Sequence, residues 1–112
     1  MKIYHNPRCS KSRETLSLIR EAGQEPEIIE YLKTVPNSAT IKDLLMKLNL
    51  KPTDILRKGE KVYKDKFKGK NFNDDEWIQI MIENPKIIER PIVVKGNKAI
   101  LGRPPENVKE LL

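Results

Sequence analysis

Cysteine and histidine are almost missing from this chain, since each occurs once among 112 residues. A single cysteine excludes a disulfide framework within the chain, and one cysteine with one histidine makes us expect no metal site. Runs of about 18 apolar residues, which a bilayer-spanning helix needs, are also missing. The N-terminus has no apolar stretch of signal-peptide length. We therefore expect a cytoplasmic protein with no membrane partner.

The charge balance is basic, with a formal net charge of +6 at pH 7. Positive charge favours anionic partners, and small oxyanions, nucleic acid and acidic proteins all fit this description. The length is that of one domain, large enough to bury about two-thirds of the surface of the unfolded chain. We expect residues 1–112 to form this single domain.

The first third of the chain has the pattern of a strand, a helix and a second strand. Residues 2–4 predict a short strand, and residues 27–31 predict another. Between them, Leu16, Ile19 and Ala22 recur at helical spacing, and Gly23 is placed to end the helix in the left-handed conformation. This order is typical of a parallel crossover unit.

Residues 36–89 are helical in pattern throughout and form an insertion before the next strand. Asn37 or Ser38 is a suitable N-cap for the first of these helices, and Asn73 with Glu76 predicts a capping box for the last. The apolar residues that support the successive helical segments are Ile41, Leu44, Leu45 and Leu48, then Ile55 and Leu56, then Tyr63 and Phe67, then Trp77, Ile80 and Met81.

The last part of the chain predicts a hairpin followed by a helix. Residues 92–94 and 99–101 are apolar strand candidates, with a turn at Gly96-Asn97. Pro104-Pro105 suits the start of a final helix that would pack Val108, Leu111 and Leu112 against the sheet. The predicted fold class is therefore α/β, with a small mixed four-stranded sheet and an all-helical insertion between the second and third strands.

The stretch from Lys58 to Lys70 contains six lysines. Such a basic segment can bind phosphates in nucleic acid, and that interpretation predicts binding with a steep salt dependence. However, Tyr63 and Phe67 are four residues apart, while lysines follow another side of the same predicted helix. This pattern is typical of an ordinary amphipathic helix with a solvated face, so we expect no nucleic-acid partner.

The single cysteine, Cys9, lies between the first strand and the first helix. At a helix N-terminus the free N–H groups and the macrodipole stabilise a thiolate. Arg8, Lys11 and Arg13 add positive charge, and such surroundings lower the pKa of a cysteine. A buried inert cysteine would be expected among apolar neighbours. We interpret Cys9 as a nucleophile, with the loop N–H groups as a site for an oxyanion.

Three arginines occur where predicted elements meet. Arg57 lies at a turn of the helical insertion, Arg90 directly precedes Pro91 and the third strand, and Arg103 directly follows the fourth strand. Guanidinium groups bind tetrahedral oxyanions in a bidentate manner. Each arginine alone is weak support for a site, because most surface arginines are merely solvated or paired.

Together these residues resemble a known family. The matching stretches run in order over essentially the whole chain, namely residues 4–16 around Arg8-Cys9-Ser10-Lys11-Ser12, then residues 56–58, 89–94 and 102–105. They are similar to the glutaredoxin-dependent arsenate reductase family (ArsC), in particular its bacterial arsenate-reductase-like subgroup. The resemblance implies a thioredoxin-like fold and a cis peptide bond at Arg90-Pro91 that faces the cysteine loop.

The resemblance also implies roles for individual residues. Cys9 matches the catalytic cysteine of the family. The residues that match its oxyanion-binding arginines are Arg57, Arg90 and Arg103. His5 and Ser12 match residues that support the thiolate. From the residues themselves, His5 also fits a structural hydrogen-bonding role, and Ser12 also fits a hydroxyl that caps backbone groups.

The activity implied by the resemblance is reduction of arsenate to arsenite. Cys9 attacks arsenate bound by the arginines, glutathione as co-substrate attacks the adduct, and glutaredoxin removes glutathione as arsenite is released and the thiol is restored. No tightly bound cofactor is implied, and we expect a monomer. The single cysteine independently requires an external resolving thiol for a repeated redox cycle, since Ser12 occupies the place of the second cysteine of a Cys-x-x-Cys pair.

Two alternatives share this fold. One is a glutathione-linked thiol oxidoreductase that acts on another substrate, because similar oxyanions differ too little for a sequence to separate them. The other is a transcription regulator of the Spx type, which binds RNA polymerase. Such regulators carry Cys-x-x-Cys as a redox switch, whereas this chain has Cys9-Ser10-Lys11-Ser12.

Overall fold

The computed structural model describes all residues from 1 to 112, and they form two compact units. The first unit combines Met1–Thr34 with Arg90–Leu112, and the second unit is Val35–Glu89. The second unit therefore interrupts the first one in sequence, between the second and third strands. Our expectation of a single domain over residues 1–112 stays a prediction.

The first unit contains a four-stranded sheet. Its strands are β1 (Lys2–His5), β2 (Glu27–Glu30), β3 (Ile92–Lys95) and β4 (Lys98–Leu101), and their order across the sheet is β2-β1-β3-β4. β1 and β2 run parallel, with Ile3 opposite Ile28, whereas β1 pairs antiparallel with β3, and β3 with β4. The sheet is mixed, and the predicted fold class is confirmed.

Helix α1 (Ser10–Glu21) crosses from β1 to β2 and packs its apolar side on the core. Leu16 and Ile19 of this helix pack with Ile3 of β1 and Val93 of β3. Three of these residues, Ile3, Ile19 and Val93, have no solvent-exposed surface. Burial of side chains of this size contributes roughly 1.5–3 kcal/mol each. The core therefore fixes α1, and with it the start of the helix beside Cys9.

Two glycines end elements of the first unit as predicted. Gly23 follows α1 with a φ of +81°, and its N–H donates to the carbonyl of Arg20. Gly96 has a φ of +61° at the first position of the two-residue loop between β3 and β4, where type II′ turns place glycine. Both positions favour glycine because other residues pay a steric cost at positive φ.

The C-terminal segment differs from the sequence expectation. It is a 3₁₀ helix (Pro105–Leu111) instead of an α-helix, and Leu112 is 40% exposed. A 3₁₀ helix has three residues per turn, so Val108 and Leu111 share one face and both are buried. Leu112 falls on another face. The prediction that Leu112 packs on the sheet was wrong.

The second unit is almost wholly helical. Its elements are α2 (Ser38–Leu48), a 3₁₀ helix (Pro52–Ile55), α3 (Lys61–Lys66), α4 (Asp74–Glu83) and a second 3₁₀ helix (Pro85–Ile87). Asn37 caps α2 by accepting the Thr40 N–H at 2.8 Å. The predicted capping box of α4 is present, since Asn73 accepts the Glu76 N–H at 2.8 Å and the Glu76 carboxylate accepts the Asn73 N–H at 3.0 Å.

Two boundaries in the second unit differ from the sequence expectation. Leu56 lies outside the helical segment because its backbone is extended and forms an isolated antiparallel bridge with Ile88. Phe67 lies just after α3 and contacts the ring of Trp77 edge-on. Tyr63 is buried, while all six lysines between residues 58 and 70 are exposed. This arrangement agrees with the amphipathic interpretation of the lysine-rich stretch.

No helix of the structure is long and apolar enough to span a lipid bilayer. In addition, no group of three or more histidine, cysteine, aspartate and glutamate side chains is arranged to hold a metal ion.

Candidate active site

Cys9 is the N-cap residue of α1, and a tight turn places it there. The Cys9 N–H donates to the carbonyl of Asn6 at 3.0 Å, and the Arg8 N–H donates to the Asn6 side-chain oxygen at 3.0 Å. The Cys9 carbonyl in turn accepts the Arg13 N–H at 3.0 Å, which begins the hydrogen bonding of the helix. Asn6 is 7% exposed, so a buried side-chain amide stabilises the turn.

The surroundings of Cys9 lower the pKa of its thiol. Partial burial by itself would raise this pKa, but the Ser12 N–H, the Arg90 guanidinium and the Lys11 N–H stabilise the thiolate and outweigh it. These N–H groups are free because they belong to the first turn of α1. Cys9 as a residue is only partly buried. A stabilised thiolate that solvent can reach is a competent nucleophile.

His5 and Ser12 form a buried pair below the Cys9 turn. His5 Nδ1 and Ser12 Oγ are 2.5 Å apart, and the same Oγ accepts the Asn6 N–H at 3.1 Å. Burial lowers the pKa of His5, the Glu30 carboxylate opposes this effect, and Arg20 and Arg13 add to it. The imidazole is therefore neutral at pH 7. Its partner Ser12 stabilises the Cys9 thiolate through the Ser12 backbone N–H.

Arg90 lies two residues before β3, and its guanidinium lies between the Cys9 thiol and this end of the sheet. Its guanidinium interacts electrostatically with Cys9 and with Tyr31. Burial would lower the pKa of Arg90, but the negative charge that Tyr31 and Cys9 can develop raises it overall, so the group stays cationic. The peptide bond between Arg90 and Pro91 is cis, as the family resemblance implies. One permanent cation therefore lies against the nucleophile.

Arg103 adjoins Arg90 through the backbone. Its Nη1 donates to the Arg90 carbonyl at 3.2 Å, and Arg103 itself is exposed. The residue before it, Gly102, donates its N–H to the Pro91 carbonyl at 2.9 Å. The structure thus brings together two of the three predicted arginines, on the segments that flank β3 and β4.

Arg57 belongs to the second unit. Its backbone N–H donates to the Ile87 carbonyl at 2.7 Å, and its Nε lies 3.8 Å from a carboxylate oxygen of Glu60. Arg57 is half-buried. The role of Arg57 in oxyanion binding, like the roles of the other site residues, stays a prediction.

Two site residues were not found from the sequence. Tyr31 is 2% exposed and contacts Arg90, although the sequence placed it only at the end of a strand. The tyrosine hydroxyl is the one feature of the sequence that could have indicated a polar contact here, because a buried tyrosine normally has a polar partner. The dipeptide Asn6-Pro7 is typical of a turn, but the sequence assigns the Asn6 side chain no contact. In the structure this side chain bonds the turn backbone, which is a common use of asparagine in such positions.

The fold and this site define a thioredoxin-like protein with one activated thiol beside a fixed cation. A family model described as ArsC family matches residues 4–111. A protein of Escherichia coli K12 named Uncharacterized protein YfgD is 48% identical over 100% of this chain and 96% of its own length. The arsenate reductase of Neisseria meningitidis serogroup A is 40% identical over 100% of this chain and 97% of its own length.

A solved structure agrees with these relatives. The arsenate reductase from Vibrio cholerae superposes with a TM-score of 0.94 at 46% identity, covering 100% of this chain and 98% of that chain. The chain belongs to the ArsC family. The resemblance noted from its motifs is confirmed.

Proposed function

We propose that this chain is an arsenate reductase that works with glutathione and glutaredoxin. The observation that carries the proposal is the Cys9 sulfur, held at the N-terminus of α1 by the Ser12 N–H and the Arg90 guanidinium. Relatives named arsenate reductase are 40% identical over the whole chain, which supports the choice of arsenate as the oxyanion.

In the first step, the Cys9 thiolate attacks the arsenic atom of bound arsenate. A sulfur–arsenic bond forms, an arsenic–oxygen bond breaks, and the leaving oxygen departs as water after protonation. Arsenic remains in its +5 state. Arg90 and Arg103 balance the charge of the anion, and the free N–H groups of α1 stabilise the charge that develops on its oxygens. Arg57 is proposed to bind the same anion.

In the second step, glutathione resolves the adduct. Its thiolate forms a sulfur–sulfur bond with Cys9 while the sulfur–arsenic bond breaks, and the electron pair of that bond reduces arsenic to its +3 state. Arsenite leaves. A glutaredoxin thiolate then takes the glutathione from the mixed disulfide, and Cys9 is restored as a thiolate. The reducing electrons come from external thiols, because Cys9 has no cysteine partner in the chain.

In this proposal His5 and Ser12 support the chemistry by fixing the position of the first turn of α1. The Ser12 hydroxyl is occupied by His5 and by the Asn6 N–H, which leaves the Ser12 N–H directed at the sulfur. The neutral imidazole holds the first turn of α1 against the end of β1. In this proposal neither side chain transfers a proton to substrate.

The proposal is tested by arsenate-dependent NADPH oxidation in a coupled assay with glutathione, glutathione reductase and glutaredoxin, with arsenite measured directly. We expect turnover by the wild type and none by Cys9→Ser, since a hydroxyl does not undergo thiol redox chemistry. Absence of turnover from a wild-type protein whose Cys9 is alkylated readily at neutral pH would reject arsenate as substrate. A thiol oxidoreductase with another substrate would then be the better assignment.

A further inference from the structure

A small cavity lies directly beside the turn that carries Cys9. Its volume is about 240 Å³. Pro7 and Arg8 form one wall, and Glu30, Leu32 and Lys33, which end and follow β2, form the other. Arg8 immediately precedes Cys9 in the chain, so the Cα atoms of this wall residue and of the nucleophile are about 3.8 Å apart.

Two basic side chains and one acidic side chain line this cavity. The Arg8 side chain is exposed and forms no ion pair, while its backbone is fixed by the hydrogen bond to Asn6. Lys33 Nζ lies 3.7 Å from a carboxylate oxygen of Glu30; the Lys33 side chain is largely solvent-accessible, and the Glu30 side chain is partly buried. The lining thus contains two cations and one carboxylate, and Pro7 and Leu32 add apolar surface to it.

We propose that this cavity binds the amino-acid end of the resolving thiol, a small peptide thiol with a free carboxylate and a free ammonium group. Arg8 and Lys33 bind the carboxylate, Glu30 binds the ammonium group, and the apolar walls contact the intervening methylenes. The inference rests on the proposed function, because it assigns a place to the external thiol that the second step consumes. An extended peptide spans about 3.3–3.6 Å per residue, so a peptide held by its amino-acid end can extend its thiol toward the neighbouring residue Cys9.

A larger cavity of about 600 Å³ along α1 is the nearest competitor. Both of its arginines are already engaged, whereas in the smaller cavity only Lys33 is paired, with Glu30. Arg13 Nη1 donates to the Pro7 carbonyl at 2.9 Å, and Arg20 is paired with Glu25 at 2.8 Å. A ligand carboxylate there would have to replace these contacts. The cavity beside Arg8 offers a guanidinium that is in no ion pair.

Glutathione disulfide tests this inference without arsenate. The Cys9 thiolate attacks one sulfur of the disulfide, a Cys9–glutathione disulfide forms, and the other half leaves as glutathione thiolate. The rate is measured by mass spectrometry for the wild type, Arg8→Gln, Lys33→Gln and Lys98→Gln. Lys98 lies on β4, at the opposite edge of the sheet from β2, and provides a matched loss of one charge. The neutral disulfide of 2-mercaptoethanol is run in parallel to correct for any change in thiolate reactivity.

We expect the ratio of the glutathione-disulfide rate to the neutral-disulfide rate to fall about fivefold in Arg8→Gln and about twofold in Lys33→Gln. At high salt both decreases should be smaller, because salt screens the charges. Lys98→Gln should keep the wild-type ratio. An unchanged ratio in both Arg8→Gln and Lys33→Gln would overturn the inference, even if the wild type reduces arsenate. A wild type that shows the expected ratios but no arsenate reduction would retain this site and reject the proposed function.

Discussion

The imidazole Nδ1 of His5 and the hydroxyl oxygen of Ser12 are 2.5 Å apart. His5 is the last residue of β1, and Ser12 lies in the first turn of α1. Both side chains are buried, Ser12 completely. This contact joins the end of the strand to the start of the helix across the turn that presents Cys9. Three of the following predictions concern this junction and the cation beside it.

Ser12→Ala should reduce the free energy of unfolding by about 1–3 kcal/mol, because His5 Nδ1 and the Asn6 N–H would lose their buried partner. Urea denaturation measures this change. Ser10→Ala is the matched control, since Ser10 is exposed in the same helical turn. Equal unfolding midpoints for the two variants would contradict a structural role of the Ser12 hydroxyl.

The stability of the wild type should fall as the pH falls through the ordinary pKa of histidine, 6.5. Burial lowers the pKa of His5 in the folded state, so the unfolded chain binds a proton that the folded chain does not. His5→Asn places an amide near Nδ1 and removes this titration. Urea unfolding at about pH 7.5 and about pH 5.5 should show a larger loss for the wild type than for His5→Asn. Equal losses in the two proteins would exclude this contribution of His5.

Arg90→Gln should raise the pKa of Cys9, because it removes a charged hydrogen-bond donor from the thiolate. The pH dependence of alkylation by iodoacetamide reports this pKa, and its midpoint should move to higher pH. Lys95→Gln removes the same charge from the other end of β3 and should leave the midpoint in place. If both variants kept the wild-type midpoint, the role of Arg90 as the cation at the thiolate would be wrong.

Arg57→Ala, Arg90→Ala and Arg103→Ala should each weaken oxyanion capture by about tenfold, the effect expected for loss of one charge-assisted contact. Phosphate protection of Cys9 against alkylation measures capture without turnover. Lys58→Ala is a control next to Arg57, because Lys58 is exposed. Wild-type protection in all three arginine variants, each with an unchanged unfolding midpoint, would remove the proposed oxyanion site.

Gly102→Ala should destabilise the first unit by about 1–3 kcal/mol through overpacking. A Cβ at this position would lie 2.5 Å from Thr15 Oγ1 and 2.7 Å from Pro91 Cγ, both closer than such atoms can approach. Gly59→Ala is the control, since nothing lies within 4 Å of its added Cβ. Thermal or urea unfolding measures the difference. Combination with Thr15→Ala should recover part of the loss, and a strictly additive double variant would argue against the steric cause.

Much of the fold follows from local rules that a sequence displays. The caps at Asn37 and Asn73 and the helix end at Gly23 each depend on a few neighbouring residues, and all three are observed. The position of Cys9 before a helix is local in the same way. By contrast, Leu112 was misplaced because the same apolar spacing has different consequences in an α-helix and in a 3₁₀ helix.

The contacts that were not predicted are those that depend on the order of strands. Tyr31 follows β2 and Arg90 precedes β3, while β1 lies between these two strands in the sheet. Their contact therefore requires knowledge of which strands are neighbours and which way a side chain leaves its strand. No periodicity supplies this information. The same limit applies to Gly102, whose close neighbours Thr15 and Pro91 come from distant parts of the sequence.

The interruption of the first unit by residues 35–89 has a consequence for synthesis on the ribosome. Strand β1 and Cys9 emerge early, but β3, the antiparallel neighbour of β1, emerges only after the whole second unit. Because local helical contacts form faster than long-range strand pairs, the second unit can fold first. During that interval Cys9 lies on an incomplete sheet without Arg90. The activated thiol therefore arises only after Arg90 and β3 have been synthesised.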